Sequence, residues 1–187
     1  MTETNEAKKT EAVPETQKKV RRAEKKLSYF QRFVIQVLIF ALIMYVMFAH
    51  IVGLMTMPNG DMYPRIDGGD LLLFYRLDKE PKSQDIIAFI KNDTQYVGRV
   101  VAAGGDTIEI TDEGSVLVNG NSLIESNIFY ETYRLEGYTK YPLELKENEC
   151  FVLADSRRGA EDSRYFGPVK EESILGTVIT VMRRNNL

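Results

Sequence analysis

The 187-residue chain contains few of the side chains on which most hydrolases and metalloenzymes depend. It has one cysteine, Cys150, one histidine, His50, and no tryptophan. A single cysteine excludes an internal disulfide, and its place in an apolar run favours a buried thiol. Because His50 lies inside an apolar stretch, we exclude a Ser-His-Asp triad, a Cys-His pair and a zinc site with several histidines. We expect neither a metal nor a cofactor.

Features of nucleotide-binding and nucleic-acid-binding proteins are also missing. No glycine-rich phosphate loop precedes a helix. The formal net charge is −3, and no basic face with interleaved aromatic residues is visible, so nucleic acid is not an expected partner. With 44% hydrophobic and 27% charged residues, the composition is that of a folded protein. The roughly 130 residues left after a tail and an anchor suit one compact domain.

Charge is absent from one long segment, between Phe33 and Gly60. Residues 33–57 are mostly Ile, Val, Leu, Phe, Ala and Met. This run is long enough for a helix to cross a hydrocarbon core of about 30 Å. It is too long for the apolar core of a cleaved secretory signal, which has about 7–15 residues, and no small-residue cleavage site follows it. We therefore predict an uncleaved transmembrane anchor over residues 33–57.

Lysine and arginine are concentrated on one side of this anchor. Residues 1–29 are strongly charged and nearly free of large apolar side chains, which is typical of a disordered tail. The basic residues near its end are Lys18, Lys19, Arg21, Arg22, Lys25, Lys26 and Arg32. Between residues 58 and 75 only Arg65 is basic. This asymmetry predicts a single-pass membrane protein with a cytoplasmic tail over residues 1–32 and an extracellular domain over residues 58–187.

Beyond the anchor, short β-rich runs alternate with turn signals. The runs are residues 71–75, 85–90, 96–102, 107–111, 115–118, 150–154 and 174–182. The two runs around the turn Asp112-Glu113-Gly114 predict a β-hairpin. Several short strands with no long helical period between them predict an all-β domain. The polar, tyrosine-rich residues 121–149 predict a long loop, whose tyrosines fit either a packed loop or a recognition surface.

Two segments of the chain resemble the catalytic boxes of type I signal peptidases, peptidase family S26. Residues 58–64 are Pro-Asn-Gly-Asp-Met-Tyr-Pro, and residues 96–101 are Tyr-Val-Gly-Arg-Val-Val. They match the family patterns Pro-Ser-Gly-Ser-Met-x-Pro and Tyr-Val-Lys-Arg-Val-Val. Residues 68–70, 85–89 and 154–167 match further family boxes in the same order. The resemblance implies the all-β signal peptidase fold for residues 58–187, behind one N-terminal transmembrane helix.

The resemblance also assigns positions in the site, and two of them depart from the family. The family's nucleophilic serine is replaced by Asp61, and the lysine that takes its proton is replaced by Gly98. The former oxyanion and groove positions are Asn59, Gly60 and Met62. The later box supplies Asp155, Arg157, Asp162, Ser163 and Arg164. In active relatives the residue at the position of Ser163 helps to hold the lysine.

Loss of the whole dyad predicts a pseudo-enzyme. The double change resembles the signal-peptidase-like proteins encoded with sortase-assembled pili of Gram-positive cocci. That resemblance implies a membrane-anchored binding or chaperone module in pilus polymerisation, with pilin subunits and possibly a class C sortase as partners. The former substrate groove would then bind an extended segment by strand addition.

A different class of function stays open, an active membrane-bound peptidase with a rebuilt catalytic site. Asp61 and Asp162 would form an aspartic dyad if they lay close enough to share a proton. Ser83 with Lys82 or Lys91 is a weaker version of the same idea.

The surroundings of Asp61 can also be anticipated. Without a lysine side chain, Gly98 is expected to leave a gap beside the carboxylate. Arg99 is a doubtful partner for Asp61, because successive strand residues face opposite sides of a sheet. We therefore expect Asp61 to stay hydrated in the free protein, since an unpaired buried carboxylate is costly.

The orientation drawn from the lysine and arginine asymmetry can be tested by proteolysis of intact cells. Protease added outside should degrade residues 58–187 and spare an epitope tag placed in the tail. Detergent-permeabilised cells, in which both sides are accessible, are the control. Protection of the β-domain in intact cells would reverse the predicted topology.

Overall fold

The structure is a computed structural model that describes residues 28–125, 128 and 130–183. The chain divides into two compact units, residues 1–43 and 44–187. Helix α1 spans Tyr29–Val46 and continues as a π-helical segment over Met47–Ile51. No residue of α1 is buried, and the helical stretch Tyr29–Ile51 is long and apolar enough to cross a membrane. Such a helix indicates a membrane anchor.

The helical stretch begins and ends earlier than the predicted anchor over residues 33–57. Ser28 and Gln31 form a reciprocal capping box, with N–H to side-chain distances of 2.9 and 3.2 Å, which sets the start. Residues 52–56, predicted as part of the anchor, instead form a strand, so that end of the prediction is wrong. A continuous apolar run does not distinguish a helix from a buried strand. The tail over residues 1–27 lies outside the described residues.

The second unit contains two antiparallel sheets. The larger has seven strands in the order β1-β2-β11-β3-β4-β9-β10, and the smaller has four in the order β7-β6-β5-β8. The strands are β1 Val52–Thr56, β2 Leu71–Tyr75, β3 Ile86–Lys91, β4 Thr94–Ala102, β5 Thr107–Ile110, β6 Val116–Val118, β7 Asn121–Ser122, β8 Leu143–Glu144, β9 Glu149–Leu153, β10 Val169–Lys170 and β11 Ile174–Met182. A one-turn helix α2, Ser163–Phe166, and a 3₁₀ turn, Glu171–Ser173, are the regular elements outside the sheets that follow the π-helical segment in the described residues. The prediction of an all-β domain is confirmed.

The predicted hairpin is present as β5–β6, where Ile108 pairs with Val118 and Ile110 with Val116. The strands that the sequence patterns did not reveal are short, except β1, which the anchor prediction absorbed. β7, β8 and β10 have two residues each, too few for a period-two pattern to appear.

Strand β4, which contains Gly98, is paired along most of one edge and only part of the other. Its residues 94–99 pair with β3, whereas β9 pairs with it only from Arg99 onward. Within the described chain, the other edge of residues 94–98 therefore has no strand partner. The β1–β2 loop, residues 57–70, covers an apolar cluster that includes Met62, Ile66 and Val97. This cluster holds the loop in place beside the open part of β4.

Candidate functional site

The β1–β2 loop places Asp61 at a fixed position. Its ends are joined by backbone hydrogen bonds from Met57 to Asp70, 2.8 Å, and from Gly69 to Met57, 2.9 Å. The N–H of Ser156 donates to the Asp61 carbonyl oxygen at 2.8 Å. The next residue, Met62, was assigned to the former groove, but its side chain is completely buried. The assignment of Met62 to the groove is wrong, because its side chain packs in the apolar cluster under the loop and has no exposed surface for a ligand.

The side chain of Asp61 is half-buried and its polar contact is with Asn59. The Asn59 amide Nδ2 donates to Asp61 Oδ2 at 2.7 Å, and the Asp61 N–H donates to Asn59 Oδ1 at 3.2 Å. Asn59 and Gly60, assigned to the former oxyanion and groove positions, are exposed, and the Asn59 amide nitrogen is bonded to Asp61. No lysine or arginine forms an ion pair with Asp61 in the described part of the chain.

The electrostatic surroundings of Asp61 are unfavourable to its charge. Burial raises the pKa of Asp61, the Asn59 hydrogen bond offsets part of this rise, and the negative charges of Asp162 and Glu161 add to it. Glu161 in turn accepts a hydrogen bond of 2.8 Å from the hydroxyl of Tyr96. Asp61 is therefore a carboxylate among other acidic groups, and a cation brought by a ligand would relieve the repulsion.

The expected gap at Gly98 is not present. Gly98 is buried in β4, opposite Ile87 of β3. A Cβ atom at this position would lie 2.4 Å from Cγ1 of Val152 and 3.4 Å from the carbonyl oxygen of Leu153. Val152 is completely buried and, being β-branched, has few alternative rotamers. Protein interiors are close-packed, and here a valine methyl group occupies the space where a side chain at position 98 would begin.

The residues assigned to the later family box are all buried and hydrogen-bonded, and together they form what is called the framework below. They are Asp155, Arg157, Asp162, Ser163 and Arg164. Both oxygens of Asp162 accept hydrogen bonds, from Arg164 Nε and Nη2 at 2.9 Å each, from the Arg164 N–H at 3.0 Å and from the Ala154 N–H at 3.1 Å. Asp162 thereby caps helix α2. Ser163 Oγ accepts a hydrogen bond of 3.0 Å from the Val152 N–H. The hydroxyl of Ser163 is thus bonded to the backbone of the residue whose side chain contacts Gly98.

Two buried arginines complete the framework. Arg99 forms a bidentate pair with Asp155, at 2.8 and 2.6 Å, so its charge is engaged by that carboxylate. Arg157 donates to the carbonyl oxygen of Ala154 at 2.6 Å and pairs with Glu125 at 2.5 Å. These pairs hold β4, β9 and the start of the tyrosine-rich segment together.

The structure also locates the groups of the rebuilt-site alternative. Both oxygens of Asp162 are bonded to Arg164 or Ala154, and no hydrogen bond joins Asp162 to Asp61 among the described residues. Lys91 Nζ donates to the Pro168 carbonyl oxygen at 2.8 Å. Ser83 is exposed, and within the described residues it forms no hydrogen bond to Lys82 or Lys91. No group of three or more His, Cys, Asp or Glu side chains in the described chain could hold a metal ion.

Two contributors to the site were not identified from the sequence. Tyr96 had a usable signal, because it precedes Gly98 by two residues and so lies on the same face of β4. Val152 had none, since its contact with Gly98 arises only from the pairing of β4 with β9.

Comparisons with known proteins identify the family of this chain. The family model described as signal peptidase, peptidase S26, matches residues 28–183, and the chain belongs to that family. Signal peptidase I of Bacillus caldolyticus is 34% identical over 131 residues, which cover 63% of this chain and 71% of that protein.

More distant relatives are longer than this chain. A probable signal peptidase I-2 of Synechocystis is 28% identical over 64% of this chain, and the thylakoidal processing peptidase 1 of Arabidopsis thaliana is 27% identical over 65%. The matches cover 57% and 39% of those two proteins. The crystal structure of a signal peptidase I from Enterococcus faecalis is 34% identical, with a TM-score of 0.44, and the match covers 54% of this chain and 97% of that one.

The raised pKa of Asp61 has a consequence for stability. A carboxyl group whose pKa is higher in the folded state destabilises that state as the pH rises through this pKa. Asp61→Asn, which keeps the shape but not the charge, should raise the melting temperature of the detergent-solubilised full chain by roughly 1–2 °C at pH 7.5, a small effect because the group is partly screened by solvent. The difference should vanish near about pH 3, below the usual carboxyl range.

The matched control is Glu144→Gln, which removes an exposed carboxylate from β8. It should leave the melting temperature unchanged at both pH values. A lower melting temperature of Asp61→Asn at pH 7.5 would show that the Asp61 charge stabilises the fold, contrary to this account.

Proposed function

We propose that this chain is a catalytically inactive, membrane-anchored member of the signal peptidase family that binds pilin subunits outside the membrane and assists their polymerisation by a class C sortase. The observation that carries the loss of catalysis is the contact at Gly98, where Val152 occupies the start of the side-chain site. The pilin and sortase partners, and the extracellular placement of the β-domain, rest on the sequence resemblance and on the distribution of basic residues.

Inactivity follows from the chemistry that serine–lysine hydrolysis requires. The reaction needs an alcohol nucleophile and a neutral amine within hydrogen-bond reach. Asp61 offers a carboxylate that is bonded to Asn59, and Gly98 offers no amine. Gly98 has no side chain that could act as a base, and Val152 occupies the space in which such a side chain would begin. No contact in the described residues favours the rebuilt peptidase over this reading.

Binding is supported by the unpaired edge of β4. Residues 94–98 present backbone N–H and C=O groups that β9 does not use, and an extended polypeptide can pair with such an edge. Glu161 is hydrogen-bonded to Tyr96 on this edge, and neither Glu161 nor Asp61 has a lysine or arginine partner in the described chain. The site therefore favours an extended segment that carries a basic residue.

The closure of the base site can be tested by attempted reactivation. The unaltered full chain should not cleave a signal peptide above background, and Asp61→Ser with Gly98→Lys should remain inactive, because the new lysine would meet Val152 Cγ1. Adding Val152→Ala removes this clash and should give detectable cleavage. Cleavage is measured by mass spectrometry of a synthetic signal peptide. Equal cleavage by the double and triple variants would contradict the packing argument, and efficient cleavage by the unaltered chain would contradict inactivity.

The role of Asp61 can be tested in a host that encodes pilins and a class C sortase. Asp61→Ala should weaken capture of the pilin about tenfold or more, because removing one partner of a close charge pair typically costs a few kcal/mol. Its melting temperature should not fall. Asp61→Asn, which retains the contact with Asn59, separates charge from shape and should bind as poorly. Capture equal to that of the unaltered chain would show that Asp61 is not part of the binding surface.

A further inference from the structure

A second concave surface lies in the tyrosine-rich segment. Residues 133–141 form an open cleft of about 640 Å³ against the β5–β6 turn. Three tyrosines line it, and Tyr133 and Tyr138 leave 52% and 51% of their surface exposed. The hydroxyl group of Tyr141 is buried there and has no hydrogen-bond partner. Exposed aromatic surface of this kind is typical of binding sites rather than of a loop that only packs.

One wall of the cleft is fixed to helix α2. The Thr139 N–H donates to the Arg164 carbonyl oxygen at 3.3 Å, and Thr139 Oγ1 donates to the Ser163 carbonyl oxygen at 2.8 Å. The ring of Tyr138 lies 4.5 Å from that of Tyr165, centroid to centroid. The tyrosine ring is therefore held in place before any ligand binds.

Arg134 fixes the opposite wall. Its Nε donates to the carbonyl oxygen of Ile110, and its guanidinium lies 3.4 Å from Asp112 and 3.7 Å from Glu109. The same group lies 5.9 Å from the ring centroid of Tyr141. Since both walls are held by the rest of the domain, a ligand would enter a largely preformed cleft, which lowers the entropic cost of binding.

The cleft adjoins the Asp61 site through the exposed residues at helix α2. Glu161 directly precedes Asp162, the N-cap of α2, and accepts a hydrogen bond of 2.8 Å from Tyr96 of β4. Tyr165 of α2 lies against Tyr138 of the cleft. The charge of Glu161 also adds to the rise in the pKa of Asp61 that burial and Asp162 cause. Glu161 is thus a near neighbour of both sites. The surface continues from the tyrosine rings, along Tyr165, to the two carboxylates of Glu161 and Asp61.

We infer that the cleft and the Asp61 site form one docking surface for a single extended segment of a partner protein, with proline or other apolar residues against Tyr133 and Tyr138 and a lysine or arginine beside Glu161 and Asp61. This inference rests on the proposed function, in which the partner is a protein. Proline-rich segments bind aromatic grooves because their extended conformation is already formed. We expect a basic residue in the part of the segment that lies beside Glu161 and Asp61, because these two carboxylates have no cationic partner in the described residues.

The inference is tested with the full chain in phosphatidylcholine nanodiscs, whose neutral lipids do not attract a cationic probe. The probe is a fluorescein-labelled peptide of six Pro-Lys repeats, and binding is measured by fluorescence anisotropy. Matched probes are six Pro-Glu repeats, which reverse the charge, and six Gly-Lys repeats, which remove the rings. We expect the Pro-Lys peptide to bind at least about tenfold more tightly than either of the others.

Variants of the protein locate the contact. Tyr133→Ala and Tyr138→Ala should each weaken binding of the Pro-Lys peptide about tenfold, whereas Tyr138→Phe, which keeps the ring, should stay within about twofold. Tyr75→Ala, at an exposed tyrosine of β2, is the matched control and should change nothing. Unchanged binding by both alanine variants at unchanged melting temperature would overturn the inference. Binding of a chitohexaose oligosaccharide in place of the peptides would overturn it too, because the cleft would then be a carbohydrate site.

A cellular comparison separates this inference from the proposed function. One strain carries Tyr133→Ala and Tyr138→Ala, and the deletion strain lacks the gene for this chain. If only the deletion strain fails to assemble pili, the cleft is not the docking surface, whereas the proposed function stands. If the deletion strain assembles pili normally, the proposed function is wrong, and the partner segment inferred from it falls as well. Loss of polymerisation in both strains, with normal amounts of the variant protein, supports both.

Discussion

The hydrogen bonds of the Asp162 carboxylate connect the parts of the molecule from which the site is built. Asp162 bonds the backbone of Ala154 after β9 and the guanidinium of Arg164 in α2. Arg164 then reaches the carbonyl oxygens of Arg157, 2.9 Å, and Tyr133, 3.5 Å. Removing one partner of such a buried pair typically costs about 3–5 kcal/mol. The position of α2, the tyrosine cleft and the contact of Ser163 with Val152 all depend on this pair.

The framework around Gly98 is close-packed. Ser163 bonds the backbone of Val152, and the side chain of Val152 occupies the space above Gly98. A site that has lost only its reacting groups would keep a cavity, whereas this one is close-packed. The edge of β4, the carboxylate of Asp61 and the tyrosine cleft stay accessible, and under the proposed function these groups hold a polypeptide.

How well a structural feature could be predicted from the sequence depends on whether it arises from local residues or from contacts between distant strands. The longer strands of the β-domain follow from local runs of β-prone residues between turn signals, and Leu71–Tyr75 and Ile174–Met182 have the predicted bounds. The end of the anchor was misplaced because β1 is apolar and its pairing with β2 is not a local property. The gap at Gly98 was expected because a missing side chain suggests a void, but Val152 comes from a distant strand. Likewise, the pairing of Arg99 with Asp155 depends on the register of β4 against β9.

The central claim is that this member of the signal peptidase family binds its partner without cleaving it. Native mass spectrometry of the detergent-solubilised full chain, mixed with an intact pilin precursor that retains its signal peptide, measures both properties in one spectrum. The account predicts a complex whose mass equals that of this chain plus the uncleaved precursor, and the same precursor mass after prolonged incubation. A precursor shortened by its signal peptide, or the absence of any complex at concentrations where the precursor is folded, would contradict it.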